Sequence, residues 1–214
     1  MSGGRLRIRL PWICGAHSRS VNSGLISTTT SLTSSPNPLA YGQSVTLTAT
    51  VSPSPGTGTP TGSVTFMDGT TSLGSAPLSG GKASLPVSSL TAGSHSITAS
   101  YGGDTNYTGS TSSTLTQSVN KANTTTTLAS SSDPSRNGQT VTFTANVSPA
   151  GATGTVQFFD GSISLGTSLL TAGKATIAIS SLSAGQHPIT AKYLGDVNYN
   201  SSTSAVLTQT VRKK

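Results

Sequence analysis

The sequence predicts an all-β chain of two tandem Greek-key sandwiches with about seven strands each. The first observation is an internal repeat: AGSHSITASYGGDTNY at 92–107 returns as AGQHPITAKYLGDVNY at 184–199, with the same turn residues at the same spacings. The second is the persistent alternation of apolar and polar residues, which is typical of strands with one buried face. The third is the regular spacing of turn residues without any helical period.

The charge is concentrated at the two ends of the chain. The formal net charge is +7 and the sequence contains no Glu. Four arginines lie within residues 1–26 and three basic residues at 212–214, whereas residues 28–119 hold one Lys against two Asp and residues 120–211 hold four basic residues against three Asp. Each repeat is therefore nearly neutral, so neither is expected to have a basic groove, and we expect no nucleic-acid partner.

The single cysteine excludes disulfide-stabilised units. Cys14 lies outside both repeats, so neither unit can hold an internal disulfide or a multi-cysteine metal site. No apolar run approaches the roughly 18 residues that are needed to cross a bilayer, so no transmembrane segment is predicted. Stability is expected to come from packing alone.

Residues 1–26 are predicted to be a disordered basic leader. Their apolar patch at 10–16 is short, is interrupted by Pro11 and contains Trp12 and Cys14. A secretory signal with a short apolar centre remains an alternative interpretation of this segment.

The first unit is predicted at residues 27–120. Strands are predicted at Thr28–Ser35, Ser44–Ser52, around Val64 and Phe66, at Ser72–Leu78, at Ala83–Leu90, within 92–107 and around Thr114–Val119. The second of these strands has the clearest pattern, because Val45, Leu47, Ala49 and Val51 alternate with threonines. The Asp68-Gly69 dipeptide predicts a hairpin turn.

The second unit is predicted at residues 121–212, with 213–214 as a basic tail. The two copies align at an offset of 96 up to Pro53 and of 92 from Gly62 onward, so the second copy lacks four residues of the Pro/Gly loop. A position that tolerates such a deletion is expected to be a surface loop. The short connection at 120–123 has no Gly or Pro, which favours an end-to-end arrangement of limited flexibility.

Several motifs together carry a resemblance to a known family. The combination of TTT-x-L, YGQSVTLTATVSP, GSVTFMDG and GDTNY, present in related form in both copies, is similar to the bacterial immunoglobulin-like repeats of surface and secreted proteins, over about residues 27–212. The resemblance implies Ig-like sandwiches strung in tandem as spacer or adhesive modules. The chain differs from antibody-type domains, because the cysteine pair and the core tryptophan are absent from both copies.

Candidate catalytic groups do not converge in the predicted fold. They are Asp68, Asp104 and His95 in the first copy and Asp160, Asp196 and His187 in the second. The two aspartates of each copy follow strands that end at opposite poles, about 17–20 Å apart for a five-residue strand, whereas paired-carboxylate hydrolysis needs about 5–9.5 Å. The sequence therefore predicts that the chain is not an enzyme. Each histidine is interpreted as capping the core edge or bonding a turn carbonyl.

The Gly-Asp-x-Asn-Tyr turns contain the candidate metal ligands. These are Asp104, Asn106, Asp196 and Asn198. Two oxygen side chains per turn are few for calcium, which takes six to eight oxygens, so a plain Asp/Asn turn is favoured and no cofactor is expected, with calcium as the alternative.

The tyrosines of the repeat have two predicted roles. Tyr101 and Tyr193 share the inward parity of their strand and are expected in the core. Tyr107 and Tyr199 are interpreted as pinning the turn, with a ligand-binding role, such as stacking against a sugar, as the alternative.

The function predicted is that of a non-enzymatic structural spacer or adhesion module of a bacterial extracellular or cell-surface protein, with monomeric modules inside a longer repeat protein. The alternative is an accessory module that binds a carbohydrate or a protein, so that the partner would be an unidentified surface polysaccharide or protein. That module would use the loops Pro53–Thr61 and Gly103–Ser110, which are expected to share one pole.

Overall fold

The computed structural model describes residues 24–213. The predicted leader up to residue 23, with Trp12 and Cys14, and the terminal Lys214 lie outside the described residues. Within residues 24–213 every regular element is a β-strand. None of the described residues forms a helix long and apolar enough to cross a membrane.

The first sandwich is formed by nine strands. They are β1 (Thr28–Ser35), β2 (Leu39–Ala40), β3 (Val45–Pro53), β4 (Ser63–Asp68), β5 (Thr71–Pro77), β6 (Lys82–Val87), β7 (Gly93–Gly103), β8 (Thr108–Thr111) and β9 (Leu115–Asn120). One sheet has the order β1-β3-β6, and the other has the order β2-β9-β7-β4-β5 with β8 attached to β7.

The second sandwich repeats this arrangement. Its strands are β10 (Thr125–Ser130), β11 (Ser135–Arg136), β12 (Val141–Ser148), β13 (Thr155–Asp160), β14 (Ile163–Leu169), β15 (Lys174–Ile179), β16 (Gly185–Tyr193), β17 (Ser202–Thr203) and β18 (Leu207–Arg212). The sheets are β10-β12-β15 and β11-β18-β16-β13-β14, with β17 on β16. The predicted all-β fold of two tandem sandwiches is confirmed.

Each sandwich encloses its own apolar core between the two sheets. On β3 the alternation predicts the buried residues correctly, because the four apolar side chains at 45, 47, 49 and 51 are at most 2% exposed. Phe66 with Tyr101 in the first core, and Phe158 with Tyr193 in the second, lie on inner strands of the larger sheets. Phe143, also 0% exposed, faces the second core from β12 of the smaller sheet. The inward position predicted for both tyrosines is therefore correct.

Two short strands in each sandwich are not among those predicted. The first pair are β2 and β11, which pair in parallel with the last strands β9 and β18 of their sandwiches. The second pair are β8 and β17, which pair with the C-terminal parts of β7 and β16. After β1, Pro36 and Pro38 lack the N–H groups that would continue the pairing of β1 with β3. The chain therefore separates from β3 and joins the other sheet as β2. Segments of two to four residues are too short to show a period. β6 also ends at Val87, before the predicted Leu90.

Ile26 belongs to the first sandwich rather than to the disordered leader in which it was predicted. Its N–H donates to the carbonyl of Asn106 at 2.8 Å, and its own carbonyl accepts from the N–H of Thr108 at 2.9 Å. Its side chain packs against the first core. Burial of this apolar side chain together with the two backbone bonds accounts for its ordered position.

Candidate functional site

The Gly-Asp-x-Asn-Tyr turns are closed by their aspartates. In the first sandwich one carboxylate oxygen of Asp104 accepts hydrogen bonds from the backbone N–H and the hydroxyl of Thr61, at 2.9 and 2.7 Å. The other oxygen accepts from the backbone N–H groups of Asn106 and Tyr107, at 2.8 and 2.9 Å. The Thr61 hydroxyl is the main cause that holds the pKa of Asp104 well below its usual range. The side chain thus fastens the Pro/Gly loop to the turn, as predicted for loops that share a pole.

The second sandwich has the same aspartate geometry. Asp196 accepts from the N–H and hydroxyl of Thr153, at 2.9 and 2.7 Å, and from the N–H groups of Asn198 and Tyr199, at 2.7 and 2.8 Å. Burial disfavours the carboxylate, but these four donors outweigh it and lower the pKa of Asp196 to about 2. The repetition shows that the turn is a structural unit of the fold.

The candidate calcium ligands Asp104 and Asp196 are hydrogen-bonded to protein donors, and whether the turns bind calcium stays a prediction to be tested. The carboxylate oxygens of Asp104 and Asp196 each already accept two hydrogen bonds, so a cation would have to displace protein donors. Residues 24–213 contain no group of three or more His, Cys, Asp or Glu side chains that could hold a metal ion. Calcium takes six to eight oxygen ligands.

Each histidine forms a clamp with an aspartate and a turn carbonyl. His95 Nδ1 lies 2.6 Å from Asp68 Oδ2, and its Nε2 lies 2.8 Å from the carbonyl oxygen of Thr91. Both ring nitrogens face acceptors, so the imidazolium, which carries two N–H groups, satisfies both contacts. The predicted bond to a turn carbonyl is present.

The aspartate partner of the histidine distinguishes the two carboxylates of the unit. Asp68 pairs with Ile97 near the start of β7, while Asp104 follows the far end of the same strand. The structure therefore brings His95 to Asp68 and keeps Asp104 at the other pole. His187 repeats the contact with Asp160 at 2.6 Å.

The histidine clamps make stability depend on pH. Burial opposes the charged imidazole, but the bonds to Thr91 and Asp68 outweigh it, so the pKa of His95 is raised above 6.5, and the pKa of His187 is raised for the same reasons. The folded state then binds more protons than the unfolded state near neutral pH, and the stabilisation is complete below about pH 6.5 and lost as pH rises through the raised pKa. We expect urea unfolding to show declining stability above pH 6.5.

A matched variant separates this effect from other titrations. In the double variant His95→Gln and His187→Gln, the slope of stability against pH above 6.5 should flatten, with a loss on the order of 1 kcal/mol per clamp at pH 6. An unchanged slope in the double variant would assign the pH dependence to other groups.

The two tyrosines of the turns have different surroundings. Tyr107 is 7% exposed, and its hydroxyl donates to the carbonyl of Thr57 in the Pro/Gly loop at 3.3 Å. Tyr199 is half-buried, and its ring meets the ring of Tyr41 from the first sandwich edge-to-face, with centroids 5.3 Å apart and planes at 82°. The ring of Tyr107 is therefore buried, whereas the ring of Tyr199 is partly covered by Tyr41, and the ligand-binding role of the two tyrosines stays a prediction.

Asn198 makes the second contact between the sandwiches. Its side-chain oxygen accepts from the backbone N–H of Ala92 at 2.9 Å. Ala92 follows Thr91, whose carbonyl is bonded by His95, so the clamp holds the turn that supplies this donor. We call the set Tyr41, Ala92, Asn198 and Tyr199 the inter-unit joint.

The connecting residues are bonded to both sandwiches. The N–H of Tyr41 donates to the carbonyl of Asn120 at 2.8 Å, and the N–H of Ala122 donates to the carbonyl of Asn198 at 2.9 Å. The ammonium of Lys121 donates to the carbonyl of Asp196. The linker is thus hydrogen-bonded on both sides, and its limited flexibility stays a prediction.

Two buried glutamines escaped the sequence prediction. Gln117 and Gln209 are 0% exposed. The Gln209 amide donates to the carbonyl of Ser132 at 2.8 Å, and its carbonyl oxygen accepts from the hydroxyl of Ser130 at 2.6 Å, so it ties the end of β10 to β18 in the other sheet. The recurrence of a glutamine at an inward position of the last strand in both copies is the signal that could have found it.

One pocket lies at the outer pole of the first sandwich. Its volume is about 340 Å³, and its lining comprises Gly24, Leu25, Ile26, Thr105, Asn106 and Tyr107. This lining has no charged side chain, and its polar side chains are those of Thr105, Asn106 and Tyr107. The pocket has few of the convergent polar groups that orient a small ligand.

Comparisons with known proteins find solved structures of low sequence identity to the chain. Among solved structures, the chain is similar to the fibronectin(III)-like modules of Clostridium thermocellum CbhA, with 18% identity over 86% of this chain and 94% of that chain and a TM-score of 0.36. The human OSCAR ligand-binding domain has 16% identity over 84% and 97%, with a TM-score of 0.35, and murine CEACAM1b has 14% over 85% and 99%, also with a TM-score of 0.35. These values carry no functional information.

The family comparison is specific to the repeats. No curated protein matches the chain significantly. The family model of the bacterial Ig-like domain (group 3) matches twice, at residues 32–120 and 126–212, which together make up more than half of the sequence. The chain therefore belongs to the bacterial Ig-like domain (group 3) family, as its repeated motifs indicate.

Proposed function

We propose that the chain is a non-enzymatic structural spacer of a bacterial extracellular or cell-surface protein, in which two sandwiches are held end to end in a fixed relation. The observation that carries the proposal is the inter-unit joint, where Asn198 bonds Ala92 and Tyr199 packs against Tyr41. A linker bonded on both sides adds to this constraint. A spacer needs such a joint, because independent units on a free linker would not hold a direction.

The hydrogen bonds that occupy the candidate catalytic groups support a function without catalysis. His95 is occupied by Asp68 and Thr91, and Asp104 by four donors at the opposite end of β7. A general acid or base must lie in a cleft within hydrogen-bond reach of the substrate proton that it transfers, whereas these groups are bonded to the loops of their own sandwich.

The occupied carboxylates also predict that calcium has no effect on stability. We expect the melting temperatures of both sandwiches to be the same in calcium and in EDTA, because the oxygens of Asp104 and Asp196 are already bonded to protein donors. Differential scanning calorimetry provides the measurement, with magnesium as the control cation. A melting temperature that rises with calcium and not with magnesium would contradict the expectation.

The joint itself is tested by removing its hydrogen-bond acceptor. Asn198→Ala should weaken docking of the sandwiches by about 1 kcal/mol, the usual net value of such a bond. The matched control is Asn106→Ala, which changes the equivalent position of the first sandwich and leaves the joint intact. Backbone ¹⁵N relaxation should give the long tumbling time of a single body in the wild type and the control, and the shorter times of two smaller units in Asn198→Ala. Independent tumbling in the wild type would refute the rigid spacer.

The alternative, a module that binds a polysaccharide or protein through the loops at the outer pole, has weaker support. The loops at 53–61 and 103–110 do share that pole, since Tyr107 and Asp104 bond residues of the first loop. The ring of Tyr107, however, is covered, and the pocket beside it is lined without charged groups. We therefore favour the spacer.

A further inference from the structure

The two sandwiches differ most at the pole where a preceding module would lie. Each pole consists of the Asp-x-Asn-Tyr turn and the Pro/Gly loop before β4 or β13. The loop spans nine residues, 53–61, in the first sandwich and five, 149–153, in the second. The remaining parts of the two poles align residue by residue, so loop length is their main difference.

The long loop covers the tyrosine of the first sandwich. The Tyr107 hydroxyl bonds the carbonyl of Thr57. The backbone of Gly58 lies so close that a Cβ atom there would stand 2.0 Å from the same hydroxyl. Ile26 extends the cover, because its side chain lies beside Gly56, where a Cβ would be 3.4 Å from it.

The short loop leaves the tyrosine of the second sandwich open to its neighbour. Gly151 of the short loop lies alongside the Tyr199 hydroxyl, where a Cβ would be 3.1 Å away. The small Ala122 takes the place that Ile26 has in the first sandwich, since each forms the bridge to its own tyrosine. The ring of Tyr41 then reaches the ring of Tyr199.

We propose that the length of this loop decides whether the pole of a sandwich accepts a neighbouring module. The short-loop pole, with Asn198 and Tyr199, fits a particular kind of neighbour. That neighbour is a sandwich with an aromatic side chain at the position of Tyr41 and a backbone N–H at the position of Ala92. The inference rests on the proposed spacer function, because it specifies how the docked joint selects its partner. The interface needs both halves at once: the hydrogen bond orients the turn, and the aromatic contact buries the tyrosine.

The far end of the second sandwich retains one half of the partner surface. Ala184 corresponds to Ala92 and its turn is held by His187, which bonds the carbonyl of Ser183 at 2.9 Å. Asn137, however, stands where the first sandwich has Tyr41, and its amide bonds the carbonyl of Leu182. The first sandwich is therefore the better partner for a short-loop pole, so the joint has a defined order.

A loop exchange tests the inference. In the long-loop variant, residues 149–153 are replaced by the sequence of residues 53–61, and we expect Tyr199 to be covered and the two sandwiches to tumble independently in ¹⁵N relaxation. In the reverse variant, residues 53–61 are replaced by the sequence of 149–153. Tyr107 should then gain reactivity toward tetranitromethane, followed by peptide mass spectrometry, while the joint stays rigid.

The outcomes separate this inference from the spacer function. If the wild type is rigid and the long-loop variant is equally rigid, the loop does not control docking, and the spacer remains. If the wild type tumbles as two bodies, the spacer itself fails. If the long-loop variant does not fold, Tyr41→Asn serves instead, because it removes the aromatic contact of the inter-unit joint and leaves both loops intact. A Tyr41→Asn joint as rigid as that of the wild type would overturn the proposed partner specificity. Unchanged nitration of Tyr107 in the reverse variant would overturn the role of the loop as a cover.

Discussion

Replacement of Phe158 by Ala is expected to lower the free energy of unfolding of the second sandwich by about 3–5 kcal/mol, the usual cost of removing a buried phenyl ring. Phe158 is 0% exposed in the centre of β13. Its cross-strand partners are Ala191 on one side and Gly166 on the other. Because both are small, their side chains cannot fill the space that the ring leaves, and the cost should lie toward the upper end.

Calorimetry can assign this loss to one sandwich. The transition of the second sandwich should move down by more than about 12 °C, since 1 kcal/mol corresponds to about 4–8 °C in a domain of this size. Leu169→Ala in the same sandwich is the control: that side chain is 74% exposed, and the expected change is within about 0.5 kcal/mol. Equal shifts for the two variants would mean that the core does not lie where the structure places it.

Replacement of Gly103 by Ala is expected to destabilise the first sandwich by more than about 2 kcal/mol, because a left-handed residue with a Cβ costs about 1–2 kcal/mol and a backbone clash adds to it. Gly103 has φ of +89°, and a Cβ there would lie 2.8 Å from the carbonyl oxygen of Tyr107 and 2.9 Å from the nitrogen of Gly109. Both contacts are with backbone, which cannot move aside without opening the turn that Asp104 closes.

Two further glycines of the same sandwich separate the two contributions. Gly69→Ala adds a side chain at φ of +55° with no atom within 4 Å, so it should show only the conformational cost of about 1 kcal/mol. At Gly102 there is neither a positive φ nor a contact within 4 Å, so Gly102→Ala should be nearly neutral. Denaturant unfolding should rank the three variants in this order, and a Gly103→Ala variant no worse than Gly69→Ala would contradict the proposed clash.

The sequence was sufficient to predict the parts of the fold that depend on local patterns. Alternation identified β3 and the inward tyrosines, because a strand with one buried face repeats every two residues. The turn chemistry of Asp104 was recognised because Asp and Asn side chains bond the backbone two or three residues ahead.

Other features depend on tertiary register, which local patterns do not contain. His95 and Asp68 are 27 residues apart, and only the pairing of β4 with β7 shows which aspartate the histidine meets. The inter-unit joint depends on how two poles face each other, whereas the sequence showed only a short linker. Gln117 was overlooked because a polar residue in a strand suggests the solvent face unless a buried partner is known.

The parallel pairing of β2 with β9 has a consequence for a chain under tension. Leu39 and Ala40 lie beside Val119 and Asn120 with both strands running in the same direction. A pull on the two ends of the sandwich therefore drags these neighbours past each other along their length. Their hydrogen bonds share that load together instead of opening one after another, and the same geometry recurs where β11 meets β18. In both sandwiches the last strand is thus loaded in shear against the short strand beside it.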